Sequence, residues 1–339
     1  MNPLSSKDLT QSFKRRDVLS GLTAVCMANV LPSAIAQTPT WPSKPVKIIN
    51  NFPAGGPSDI LARAIAEALQ RNTGQTVTVD NKPGAGGNIG AAEVAKAAGD
   101  GTTVFLGIDT AFTVNPYIFP SMPFKLGNKK GEVRPLVILS ANGLLLGSSV
   151  AKGIRSMGEL IALGKSSGVN FSSGGPGSPG HLGVALFSQA GAIKITHVPY
   201  KGNSPAVLAV LSGEVDGGIL SVSGMLPHVK TGKIVPIAMT SRQRSKALPD
   251  VPTVKELGYP ELENEVLTVM MVPGDTSEST MIAMKKAVID VLSQPALRDR
   301  LVQLDMVYEG LTDAAATKRL TDLSVRYAKI VKATNMKVE

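Results

Sequence analysis

Cysteine is nearly missing from this 339-residue chain: the one present, Cys26, sits in an N-terminal stretch read below as a removable leader. Past that leader there is no thiol, which excludes disulfides, zinc–cysteine sites and cysteine nucleophiles together. Aromatic residues are scarce at 4 %, with a single Trp. Lys and Arg outnumber Asp and Glu by 35 to 26, yet basic runs such as Lys129-Lys130 or Lys285-Lys286 stay short. A nucleic-acid surface would cluster its charges and add stacking rings, so nucleic acid is not expected as a partner. The three histidines, His181, His197 and His228, lie apart in sequence without metal-ligand spacing. They read as isolated from one another, and no metal or cofactor is expected. No stretch reaches the ~20 apolar residues of a membrane-spanning helix.

What is present begins with an export address. Lys14-Arg15-Arg16 precede an apolar run from Val18 to Val30, and Ala34-Ile35-Ala36 places small residues where a signal peptidase reads. The adjacent arginines predict the twin-arginine route; an ordinary secretory signal is the alternative. Cys26 does not fit a lipoprotein anchor, because Thr23-Ala24-Val25 puts a bulky valine before it. The mature chain is expected to begin near Gln37, in the periplasm. Residues 1–36 hold four Lys/Arg and two Asp/Glu, so removing them lowers the formal charge from +9 to +7. About 300 residues remain, enough for two lobes with separate cores.

Strands and helices then alternate. Val46–Asn50 reads as a strand, Phe52–Asp59 as a glycine turn, and Ile60–Arg71 as an amphipathic helix. Val77–Asp80 leads through Asn81–Asn88 to a helix over Ile89–Ala98, and Val104–Gly107 is a third strand. A proline- and lysine-rich connector spans Pro116–Pro135, with strand candidates at Leu136–Leu139 and Leu144–Ser148 and a helix from near Ser156. The pattern resumes with strands at Val169–Ser172, Ile195–Val198, Val215–Leu220 and Val235–Thr240. Helices are expected over His181–Ala190, Pro205–Leu211 and Gly224–Thr231. After a proline-rich linker over Ala247–Pro260 comes a strand at Leu267–Val272, then helices near Thr280–Ser293, Ala296–Leu304 and Thr312–Ala333. Met281, Met284, Val288 and Val291 keep helical spacing and should face the core. This alternation predicts an α/β fold of mostly parallel sheets, with ligand loops at the carboxyl ends of the strands.

Two loops carry chemistry. In Phe52-Pro53-Ala54-Gly55-Gly56-Pro57-Ser58-Asp59, two glycines uncover main-chain N–H groups just before a helix N-terminus, which together make an anion seat. The plainer reading is a tight turn capped by Ser58. The loop Ser172–His181 repeats the pattern, with Ser178 placed to cap the next helix and His181 in its first turn. Ser178 does not fit a nucleophile elbow, because position 176 is proline, and His181 has no indicated orienting acid. Gly164-Lys165-Ser166 lacks the first glycine of a phosphate loop, and Gly84-Ala85-Gly86 meets Ile89 where a dinucleotide fingerprint needs its third glycine. Glu214 and Asp216 fall in a turn, where solvation explains them. Two glycine-rich seats on two α/β units, without a catalytic constellation, describe a solute-binding protein.

The residues also resemble a family. Trp41-Pro42-Ser43-Lys44-Pro45, Phe52–Gly56, Asn81–Asn88, Ser172-Ser173-Gly174 with Ser178 and His181, His197–Gly202, Leu226-Pro227-His228 and Ala247–Val254 are similar, in order, to the Bug-type periplasmic solute-binding proteins of tripartite tricarboxylate transporters. The resemblance implies a type II periplasmic binding fold, two α/β lobes joined by a two-strand hinge that close on a small carboxylate. Residues 37–140 and 262–339 would form lobe 1, and residues 141–261 lobe 2. In lobe 1 the ligand residues would be Phe52, Ala54, Gly55, Gly56, Ser58 and Asp59, with Asn88. In lobe 2 they would be Ser173, Gly174, Ser178 and His181. The implied partners are a small organic anion and an integral-membrane transporter with a large and a small subunit, served by a monomeric receptor.

Departures from the family pattern shape the expected ligand. Ile219-Leu220 stands where Phe-Asp is common, and Leu267-Thr268-Val269 where Trp-Phe-Gly is usual; Lys125–Arg134 lacks the usual Asp-Pro and Asp-Phe. Losing an acidic side chain near the cleft disfavours an ammonium group. A mono- or dicarboxylate with a neutral, aromatic or aliphatic body is expected. A sensor that presents ligand to a membrane histidine kinase, and a periplasmic hydrolase using Ser178 and His181, are the rival readings.

Overall fold

The computed structural model describes residues 40–338. The leader, Cys26 and the cleavage position after Ala36 lie outside them. Val46–Asn50 forms β1 and Pro57–Thr73 forms α1. The helix starts before Ile60 because Pro57, at its first position, carries the fixed φ a helix needs. Leu61, Ile65 and Leu69 are buried along one stripe, each contributing about 1.5–3 kcal/mol. Gly74, in the left-handed region, ends the helix. β2 (Val77–Asn81) and β3 (Thr103–Ile108) flank β1 in parallel, and α2 (Asn88–Lys96) connects them.

The expected connector is more ordered than its composition suggests. It holds the short helices α3 (Thr110–Thr113) and α4 (Asn115–Ile118) and the two-residue β4 (Lys125–Leu126). The two strand candidates that follow are one 18-residue strand, β5 (Glu132–Ser149). Its polar middle, Ser140–Gly143, reads as a break because the apolar pattern lapses there. It stays extended because β10 (Glu265–Pro273) pairs straight through it, Leu267 with Ala141 and Glu265 with Gly143. Long-range pairing here overrides local pattern.

The middle of the chain adds α5 (Met157–Ser166), β6 (Val169–Ser173), α6 (Pro179–Ala190), β7 (Ile195–Pro199), α7 (Asn203–Ser212), β8 (Gly217–Ser221), α8 (Val222–Lys230) and β9 (Ile234–Met239). The chain closes with α9 (Glu278–Leu292), α10 (Pro295–Gln303), β11 (Val307–Thr312) and α11 (Asp313–Thr334). β11 has no counterpart in the sequence reading. Val307 is exposed and Glu309-Gly310 break the alternation between Tyr308 and Leu311, where the register also shifts; pairing with β5 makes the strand. Met281, Met284, Val288 and Val291 are buried as expected.

The strand order is β2-β1-β3-β10-β5-β8-β6-β7, with β4, β9 and β11 also on β5. The first half of β5 belongs to one α/β lobe, through β10 and β11, and its second half to the other, through β8 and β9. β5 and β10 are the two antiparallel strands at the crossing, and the fold is the two-lobed α/β arrangement expected. β6 pairs in parallel with β7 and β8, so both lobes present the carboxyl ends of parallel strands. At the crossing, the buried Asp109 carboxylate accepts from Leu267 N–H at 2.8 Å and from Thr113 Oγ1 at 2.7 Å.

Candidate functional site

A cavity of about 130 Å³ lies where the loops of the two lobes meet. The first lobe supplies Phe52, Pro53, Ala54, Gly56, Pro57 and Ser58; the second supplies Gly174, Ser178–Gly180 and Gly202–Pro205. β8 adds Ile219–Ser221, and the crossing strands add Asn142, Leu144, Val266 and Thr268, with Ile108 and Met306 at the ends. Among the described lining residues none carries a charge.

The first seat is held from behind. Asn50 Oδ1 accepts from Phe52 N–H at 2.9 Å and from Ser58 Oγ at 3.3 Å. Ser58 is therefore not the helix cap: Gly56 is, with no side-chain bond, and Ser58 sits in the first turn. Asp59 faces the back of the loop. It accepts from Gly55 N–H at 2.8 Å, Asn81 Nδ2 at 3.0 Å and Arg63 Nε at 3.1 Å. Burial alone would raise its carboxyl, but Arg63, Gly55 N–H and Asn81 outweigh that and hold it below the usual range. With Gly55 N–H engaged and Pro53 and Pro57 lacking donors, the N–H groups left for a ligand belong to Ala54, Gly56, Ser58 and their neighbours in the first turn.

The second seat is braced by side chains. Ser178 caps α6, accepting His181 N–H through Oγ at 3.3 Å. The His181 ring accepts Gly177 N–H at Nδ1 (3.2 Å), so Ser178 and the imidazole are not arranged as nucleophile and base. His181 and His197, expected to be separate, are stacked with centroids 4.1 Å apart. The parallel pairing of β6 with β7 sets Phe171 beside His197, below the loop that starts α6. Ser173 Oγ and His197 Nε2 are 2.5 Å apart. Burial, then the neighbouring His197, pushes His181 down to about 3, so its ring is neutral. In the third loop Asn203 Oδ1 accepts from Ser221 N–H at 3.0 Å, tying the start of α7 to the end of β8.

Of the residues expected at the site, Phe52, Ala54, Gly56, Ser58, Gly174 and Ser178 line the cavity. Gly55, Asp59, Ser173 and His181 stand behind it as loop braces, and Asn88 accepts from Asn115 Nδ2 in the adjoining loop. The third seat, Gly202–Pro205, was open to sequence reasoning, since it repeats the strand–glycine–helix pattern. Asn142 and Val266 were not, because only the pairing of β5 with β10 brings them here, and Met306 comes from the turn just before β11. Among the described residues there is no cluster of three or more potential metal ligands, and no helix is long and apolar enough to cross a membrane.

Residues 61–336 match the family model described as "Tripartite tricarboxylate transporter family receptor". The chain is 31% identical to Protein BugT of Bordetella pertussis over 95% of this chain and 98% of that protein. Among solved structures it is similar to periplasmic binding protein BugD, with 26% identity, a TM-score of 0.81, and coverage of 88% of this chain and 99% of that one. It is similar to an R. palustris protein solved with adipate (26%, TM-score 0.81, coverage 88% and 99%). MatC from Rhodopseudomonas palustris, solved with bound malate, matches at 25% and a TM-score of 0.77, with coverage of 86% and 100%.

Proposed function

This chain belongs to the tripartite tricarboxylate transporter family of receptors, and from that premise we propose that it captures a small organic carboxylate between its lobes and delivers it to such a transporter. The family is one of periplasmic solute-binding receptors and not of enzymes. The ligand is a mono- or dicarboxylate with an aromatic or aliphatic body and no ammonium group. The observation that carries this is the uncharged cavity walled by helix N-termini of both lobes. Such ends stabilise an anion without a counter-cation, and no acidic side chain is there to pair an ammonium. The ligands in the structures of two relatives, adipate and malate, are carboxylates.

Lobe 1 comprises residues 37–140 and 262–339, and lobe 2 residues 141–261. The receptor is exported by the leader of residues 1–36, cut near Ala36, and works as a monomer with the large and small membrane subunits. Closure expels water and strengthens each hydrogen bond to the carboxylate. Mass spectrometry of the small molecule retained after gentle purification, followed by calorimetry, tests the reading. A retained organic acid that rebinds is the expected result; binding confined to amino acids or to cations would overturn it.

A further inference from the structure

We propose that the ligand is a monocarboxylate with an apolar body: its carboxylate is clasped where the two lobes' seats touch, and its body lies against the crossing strands. This rests on the receptor reading above and refines its ligand. Gly202, at the head of α7, and Pro53, in the first seat, are in contact; a Cβ at Gly202 would stand 2.8 Å from Pro53 Cγ. The N-termini of α1 and α7 therefore converge on one place, and α6 brings Ser178 and Gly180 to the same cavity. One anionic group satisfies all of these donors.

On the crossing strands the walls change character. Leu144 and Val266 of β5 and β10, with Met306 just before β11, line the cavity with aliphatic surface and are buried, while Ile219 and Leu220 of β8 add aliphatic surface beside the seats. The polar side chains on the crossing strands are Asn142 and Thr268. Asn142 Nδ2 donates one of its two N–H groups to Gly143 O at 3.1 Å, its buried Oδ1 has no hydrogen-bond partner and would repel a carboxylate, and Thr268 brings a single hydroxyl. A second carboxylate at the far end of a ligand would exchange its hydration for this surface, with no cation to receive it. Burying a charge without a partner is strongly unfavourable, so a dicarboxylate is expected to bind at least about 30-fold more weakly than the monocarboxylate of equal length.

Calorimetry on the mature protein, stripped of retained ligand, tests this with hexanoate against adipate and benzoate against terephthalate. Tighter binding of hexanoate and benzoate by at least about 30-fold is expected. Met306→Lys, which puts an ammonium on the far wall, is expected to shift the ratio toward adipate by at least about tenfold. Adipate or terephthalate binding as tightly as its monoacid would overturn this inference and leave the carboxylate receptor standing. A folded Met306→Lys protein with an unchanged ratio would overturn the placement of the body. If none of the four acids binds, the inference fails, while the retained small molecule still decides the receptor reading. Should Met306→Lys not fold, the titrations of the unaltered protein decide the matter alone.

Discussion

Gly202→Ala separates what the backbone demands from what lobe contact demands. Gly202 has φ +113°, a conformation L side chains rarely adopt, and its added Cβ would lie 2.8 Å from Pro53 Cγ and 3.3 Å from Pro53 Cδ. The backbone strain, about 1–3 kcal/mol, acts whenever α7 is formed. The clash with Pro53 acts only when the lobes touch, and overpacking of this kind costs about 1–3 kcal/mol. Two readouts follow from the two costs. Thermal unfolding without ligand should report the strain, at roughly 2 °C for each kcal/mol in a domain of this size. Calorimetry should report the clash as a loss of affinity of about 5- to 150-fold. Pro53→Ala removes Cγ and Cδ and leaves Pro53 Cβ at 3.6 Å, an ordinary contact. The double variant should therefore regain most of the lost affinity while its Tm stays low. Wild-type affinity in Gly202→Ala, or a Pro53→Ala change that rescues nothing, would refute Pro53–Gly202 contact as part of the ligand-bound state.

Two further expectations concern pH and the first seat. Burial pushes Asp109 up to about 6 from 3.8, so between those values the folded state holds the extra proton and stability rises as pH falls, by about 3 kcal/mol in all. His181, pushed down to about 3 from 6.5, has the opposite sign: below pH 6.5 the unfolded chain takes the proton and stability falls. The two slopes oppose each other from pH 6 to 4, and denaturant titrations should show Asp109→Asn losing stability more steeply with acid than the parent; a parallel profile would remove Asp109 as a buried carboxylate. Gly55→Ala, at φ +79° with open space around its Cβ, should lower stability by about 1–2 kcal/mol and largely keep affinity. Gly56→Val, at an ordinary φ but lining the cavity, should lower affinity at least about tenfold with little change in Tm, and the reverse pattern would misplace the seat.

The glycine pair shows where sequence stops. Gly55 and Gly56 look alike in the string Ala54-Gly55-Gly56-Pro57, and both suggest close approach of a ligand. Folding separates them, because Asp59 turns back four residues to take Gly55 N–H and leaves Gly56 on the cavity. The histidines are another case. His181 and His197 are distant in the chain, and only the parallel register of β6 with β7, with α6 starting above it, stacks their rings. By contrast, the strand–loop–helix units around β1 and β6 are legible because strand, turn and helix start are all local. Pro57 and Pro179 fix helix starts, and Ser178 supplies its own cap.

What local pattern misses is also what would set the far wall for the proposed ligand. Asn142, Val266 and Thr268 belong to β5 and β10, whose pairing is made by main-chain groups that do not depend on which side chains stand there. The crossing can therefore keep its geometry while the wall changes, within the limits of packing. Ile219-Leu220 on β8 is the same situation, with the strand retained beside β5 and the side chains aliphatic. The seats are constrained differently, since Gly202 and Gly56 serve through the absence of a side chain and Asn50 and Asp59 through specific hydrogen bonds. On the proposed function, anion capture is thus written in the glycine-rich loops and readable in order along the chain. The choice among anions is written in side chains that meet only through the strand ladder, and it follows from the fold once that ladder is in place.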